Sequence, residues 1–143
     1  RMSLAEYKKQ IEQQEKEVKK KRRSLEYEEQ CKVFEWAGLN LHKRPLLSLL
    51  FAIPNGELRD KITAAKLKRS GVKSGVFDMF LPVQSMATMQ VYNGLWIELK
   101  IEPNKPTPEQ LRWQLAMQQQ EFKAVICYSA DEVIGEIRYY LSF

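Results

Sequence analysis

"SGVFDMFLPVQSMATMQVYNGLWIELK", residues 74–100, decides how the chain folds. Its two apolar runs, Gly75–Val83 and Gly94–Ile101, read as buried strands joined by a polar loop over 84–93. Side chains alternate across a strand. In the second run Leu95, Ile97, Leu99 and Ile101 therefore share one face, and Trp96, Glu98 and Lys100 share the other. In the first run Asp78 lies opposite to Phe77 and Met79. A charge on a core strand is costly unless it is paired or binds a metal. If the two strands pair, Asp78 and Glu98 approach closely enough to share a divalent cation. Two carboxylates, a backbone carbonyl such as that of Leu99, and waters make a hard oxygen site suited to magnesium or manganese. Lys100, two residues beyond the second acid, can then reach an attacking water or a phosphate. A metal in such a site polarises a phosphoryl group and acidifies bound water. That is the chemistry of phosphodiester hydrolysis. Glu-x-Lys alone describes an ordinary cross-strand ion pair equally well, and the aspartate on the preceding strand sharpens the reading.

The flanking sequence supplies helices on either side of these strands. Residues 4–25 read as a long charged helix with Leu4, Ile11, Val18 and Leu25 every seven residues, too thin a stripe for a good coiled-coil seam. "SLEYEEQCKVFEWAGL" continues it, with Gly38 as the expected stop. "LLSLLFAI", ended by Pro54-Asn55-Gly56, reads as a buried strand, a short helix being the alternative. Residues 58–69 follow as a basic helix closed by Ser70-Gly71. Downstream, Thr107, Pro108 and Gln110 have the spacing of a capping box with proline at N1 and open a helix. "KAVICY" reads as a strand, and Ser129 with Glu132 opens a last helix. The order is helix, strand, helix, strand, strand, helix, strand, helix, an α/β domain around a mixed sheet.

Composition narrows the function classes. The chain has 143 residues with a formal net charge of +5, a length that fits one domain. The surplus is concentrated in two places. Residues 1–23 carry nine Lys/Arg against four Glu, and residues 59–73 carry six against one Asp. Basic patches beside an acidic pocket suit a polyanion that brings cations. No apolar run is long enough for a membrane helix. The charged N-terminal segment lacks the apolar core of a signal peptide, so a cytoplasmic protein is expected. Cys31 and Cys127 form no C-x-x-C pair and read as reduced structural thiols. With one histidine, His-rich zinc chemistry is not expected.

The blocks "EEQ", "IPNGELR", "AAKLKRSGVKSGVFDMFLP", "GLWIELK" and "TPEQLRW" resemble, in that order, the VRR-NUC branch of the PD-(D/E)XK nuclease superfamily. The resemblance spans about 110 residues, from Glu28 to near Cys127. It implies a restriction-endonuclease-like αβββαβ core with one inserted basic helix, within a nuclease domain over 24–143 that follows a basic helix over 1–23. It further implies a magnesium- or manganese-dependent DNA endonuclease, selective for branched or structured DNA. Resolution of four-way (Holliday) junctions by a homodimer is in the branch's range, as are stand-alone forms in bacterial viruses, acting in the bacterial or infected cell. Carried over by position, Asp78 and Glu98 are the metal-binding acids, with the Leu99 carbonyl, and Lys100 is the catalytic lysine. Gln110 matches the glutamine near the scissile phosphate, although it also fits position N3 of the capping box. Glu28, rather than its neighbour Glu29, is the expected acid of the first helix. Arg59, Lys66, Lys68, Arg69 and Lys73 are expected to hold DNA phosphates. The family's proline before the aspartate is Phe77 here, expected to fill core space. The competing expectation is a nucleic-acid-binding module that keeps the fold without the chemistry.

Overall fold

The computed structural model describes residues 1–54, 61–86 and 89–143. The first element, α1, runs unbroken from Leu4 to Leu39. Its start is fixed by a capping box in which Ser3 accepts from the Glu6 N–H and Glu6 accepts from the Ser3 N–H. Lys, Glu, Gln and Arg dominate the helix, and all are good helix formers. Gly38 does not stop it. Asn40 is the C-cap, and its side-chain amide donates to the Trp36 carbonyl at 2.8 Å. The "LLSLLFAI" run is not one strand but a 3-10 turn, Pro45–Leu49, followed by a two-residue strand β1, Phe51–Ala52. Pro45 opens that turn, where a missing N–H costs nothing, and Leu47 and Leu50 plug the core.

Helix α2 spans Lys61–Arg69, and Gly71 turns the chain away from it at φ +101°. Strands β2, Met79–Leu81, and β3, Leu95–Leu99, follow. Helix α3, Pro108–Gln119, starts at the expected Thr107–Gln110 box. Strand β4 is Lys123–Cys127, and α4 is Ala130–Tyr140. The sheet order is β1-β2-β3-β4. The first two pairings are antiparallel and β3–β4 is parallel, with α3 as the crossover that a parallel pair requires. The result is the expected mixed α/β architecture of a four-stranded sheet flanked by helices.

One sheet face is the core. Met79, Leu81, Leu95, Ile97 and Leu99 are buried there against α1 (Val33, Ala37) and α4 (Val133, Ile137, Tyr140). The other face carries an aromatic row across the strands. Phe80 stacks on Trp96 with centroids 4.1 Å apart, and Phe51 meets Phe80 edge-on. Trp113 on α3 packs edge-on against Trp96. Phe77 is fully buried, as expected of a core-filling residue. Trp36 packs edge-on against Phe143, and His42 is exposed. Both cysteines are free thiols. No described helix is long and apolar enough to cross a membrane.

Candidate active site

The β2–β3 register pairs Met79 with Ile97. One step further along the same antiparallel ladder sets Asp78 against Glu98. The first strand was expected from Gly75, yet β2 begins only at Met79, and the Asp78 N–H leaves the ladder for a side chain while its carbonyl still faces β1. The Asp78 N–H donates to Glu98 Oε2 at 3.1 Å, and its carbonyl accepts from the Ile53 N–H at 2.7 Å. In return, the Leu99 N–H donates to Asp78 Oδ2 at 3.0 Å. Each acid is thus held by the backbone that carries the other, or by the residue next to it. The two carboxylates are fixed in place before any ligand arrives.

Glu98 is the buried charged residue among those described, at 2 % exposure. Its Oε1 accepts from Gln110 Nε2 at 2.6 Å and lies 3.5 Å from Lys100 Nζ. Burial pushes the Glu98 carboxyl up to about 8, and the facing Asp78 adds to the rise. Lys100 and the Asp78 N–H pull it back, and burial prevails. Gln110 forms the expected cap and makes a second contact that the capping motif did not reveal. Its Oε1 accepts from the Thr107 N–H at 2.9 Å, closing the cap, while its Nε2 reaches Glu98. Helix α3 is therefore anchored to the acid it helps to orient. Gly75 makes that approach possible. Its φ is +87°, and a Cβ there would sit 2.6 Å from the Glu109 backbone.

These groups form the floor of a cleft of about 870 Å³. Asp78, Glu98, Lys100 and Gln110 line it, with Lys68 and Lys73 on the α2 side. Lys66 and Arg69 are exposed on α2 and do not line the cleft. Arg59 lies outside the described residues. Leu99 buries its side chain in the core and offers only backbone to the site. The first-helix acid differs from expectation. Glu28 is exposed and away from the cleft, whereas Glu26 lines it. Two residues along a helix are about 200° apart, so the two glutamates face opposite ways. Glu29 serves another purpose. Its Oε2 accepts from the Ala130 N–H at 2.8 Å, which together with Lys32 lowers its carboxyl below the usual range. Glu29 thereby pins α1 to the start of α4.

No local signal in the sequence marks Glu26 as the glutamate that lines the cleft. Gly75 gave no signal beyond being glycine. Among the described residues no three His, Cys, Asp or Glu converge as a ligand set. The donor set is thus two fixed carboxylates with open space above them. That suits magnesium, which keeps several waters and needs only one or two carboxylates. A buried Glu98 facing a half-buried Asp78, with Lys100 3.5 Å from Glu98, is an arrangement whose charge a divalent cation offsets.

A solved structure described as a VRR_NUC domain protein matches the chain at 30% identity with a TM-score of 0.66. The match covers 82% of this chain and 88% of that one. No family model and no curated protein matches.

Proposed function

The chain belongs to the VRR-NUC domain family, and from that premise we propose that it is a metal-dependent DNA endonuclease with a PD-(D/E)XK core. The observation that carries the reading is the reciprocal Asp78–Glu98 pair, with Lys100 and Gln110 on the second acid. Asp78, Glu98 and the Leu99 carbonyl would hold magnesium or manganese, and Glu26 lines the same cleft without converging on the two acids. The bound cation supplies positive charge at the phosphoryl oxygens and acidifies a water. Lys100, held 3.5 Å from Glu98, would orient an attacking water and steady the charge growing on the phosphate. Gln110 keeps Glu98 turned toward the cleft and holds α3 at its edge. Lys68 and Lys73 meet the backbone phosphates that flank the cut.

The substrate is branched or otherwise structured DNA, and the four-way junction is cut by a two-fold homodimer that presents one cleft to each strand. Such an enzyme works in the cytoplasm of a bacterium or of a virus-infected host. The test is cleavage of labelled junction, flap, nicked duplex, linear duplex and single-stranded DNA in magnesium and in manganese. Junction or flap cut in preference to linear duplex supports the reading. Tight binding to every DNA with no cleavage in either metal overturns it and leaves a binding module with a nuclease-like fold.

A further inference from the structure

Helix α1 passes the cleft and keeps going. Glu26 lines the cleft, and Arg22 Nη1 donates to Asn104 Oδ1 at 3.0 Å, which fastens the helix to the loop after β3. Every residue from Arg1 to Lys21 is exposed. At 1.5 Å per residue, the exposed stretch from Glu6 to Lys21 projects roughly 22 Å from the body. A helix with no tertiary partner must be supported by its own sequence. Here the capping box at Ser3 and a run of strong helix formers provide that support.

The free stretch is not electrically neutral. Counting about 100° per residue from Glu26, Lys19 lies about 20° away, Arg22 about 40°, Arg23 about 60° and Lys16 about 80°. Lys8 falls at the same angle as Glu26, with Glu15 about 20° and Glu12 about 40° away, so this side of α1 carries Lys8, Lys16, Lys19, Arg22 and Arg23 against Glu12, Glu15 and Glu26 and is basic on balance. Among the described residues Lys16, Lys19 and Arg23 enter no ion pair. Glu12 and Glu15, one turn before Lys16 and Lys19, share this side and offset part of its charge without reversing it.

We propose that this projecting part of α1 is an arm that follows the phosphate backbone of a duplex leaving the Asp78–Glu98 cleft. The inference rests on the nuclease reading of that cleft for its choice of polyanion. Duplex DNA rises 3.4 Å per base pair, so an arm of roughly 22 Å spans about six to seven base pairs. The protein then grips more duplex than its body alone can cover, and affinity depends on the length of the duplex arm. A competing occupant is a second copy of α1 on the neighbouring stripe of Ile11, Val18 and Leu25, which are 38 %, 47 % and 40 % exposed. Its companion positions Gln14 and Lys21 are polar, which weakens a helix pair, so phosphate is the better match.

The test uses the full chain in chelator, with fluorescence anisotropy on duplexes from 8 to 24 base pairs at several salt concentrations. The variants are K16Q/K19Q/R23Q and I11Q/V18Q. Glutamine preserves helix propensity, and circular dichroism checks that the arm stays helical. The expected result is that the basic-stripe variant matches wild type on the shortest duplex and loses at least tenfold on the longest. Its slope of log affinity against log salt becomes shallower by about 0.9 for each phosphate no longer neutralised, about 3 in all for three side chains. The I11Q/V18Q variant is expected to keep the full length dependence. Equal weakening on short and long DNA, or none, overturns the proposal. So does a loss of long-duplex affinity in I11Q/V18Q that accompanies a change from dimer to monomer by sedimentation. Cleavage by Asp78→Ala in magnesium separates the two ideas, because its persistence would sink the reading of the Asp78–Glu98 cleft as the cutting site while the length dependence still reports on the arm.

Discussion

Glu98→Gln should change how stability depends on pH. In the folded protein the Glu98 carboxyl is pushed from 4.5 up to about 8, chiefly by burial and then by Asp78. Between those two values the folded chain holds a proton that the unfolded chain has released. Stability contributed by this group is therefore full below 4.5, falls as pH rises through the window, and is lost above about 8. Each pH unit of the window corresponds to about 1.4 kcal/mol. The ceiling is roughly 5 kcal/mol, and water entering the open cleft reduces the expected effect to the order of 2 kcal/mol. For a chain of this size that is a fall in Tm of roughly 7 °C between pH 5 and pH 8.5. Glutamine has the same shape, still offers an oxygen to Gln110, and carries no titratable proton. The assay is Tm by circular dichroism across that range in chelator, for wild type and Glu98→Gln. The wild-type curve should slope downward with pH and the variant curve should be flatter by this amount. Magnesium should restore wild-type Tm at pH 8.5 and leave the variant nearly unmoved. Parallel curves for the two proteins would refute the reasoning, because they would mean that Glu98 titrates as an ordinary solvated carboxylate.

Three further outcomes follow from named interactions. Gln110→Ala removes one half of a helix cap and a 2.6 Å bond to Glu98. It should cost about 1 kcal/mol in stability and lower cleavage at least tenfold with DNA affinity nearly unchanged, read by parallel melting and single-turnover kinetics. Gly75→Ala puts a Cβ against the Glu109 backbone at a φ of +87°. It should destabilise by about 1–3 kcal/mol and open the cleft, seen as a lower Tm with faster proteolysis near residue 75. The Cys127 thiol, buried and pushed up to about 12 by burial and the nearby Glu136 and Glu132, should resist alkylation at pH 8 in the native state. The partly exposed Cys31 should label first, with mass spectrometry reading the order.

Much of this site could be read from local rules. Strand alternation assigned Asp78 and Glu98 to faces, and their meeting was conditional on the two strands pairing, in a register that the fold supplies. The Thr107–Gln110 box was legible because a capping motif is local. What it could not reveal was that Gln110 also reaches Glu98, since that depends on where α3 docks. Glu28 was the first-helix acid expected at the cleft, but Glu26 lines it, and two residues on a helix are slightly more than a half-turn. Nothing in "LEYEEQ" shows which side of α1 meets the sheet until the docking of Val33 and Ala37 is known. The "LLSLLFAI" run hid a 3-10 turn, because a short apolar stretch satisfies strand and helix equally. Gly38 was read as a helix stop, but a side-chain bond from Asn40 to Trp36 carried the helix one residue past it. The charged first helix was visible as a sequence feature. Its projection beyond the cleft was not, because exposure is a property of the whole fold.

The central claim is that Asp78 and Glu98 form a metal-dependent cutting site. It is tested most directly by single-turnover cleavage of the preferred DNA by wild type and Asp78→Ala, each with magnesium and with chelator, while binding is followed in the same samples. The account predicts cleavage by wild type in magnesium only, a loss of at least a thousandfold in Asp78→Ala, on the order of removing a principal charge-stabilising group, and DNA binding retained by both. Cleavage that survives the chelator or the loss of Asp78 would contradict it.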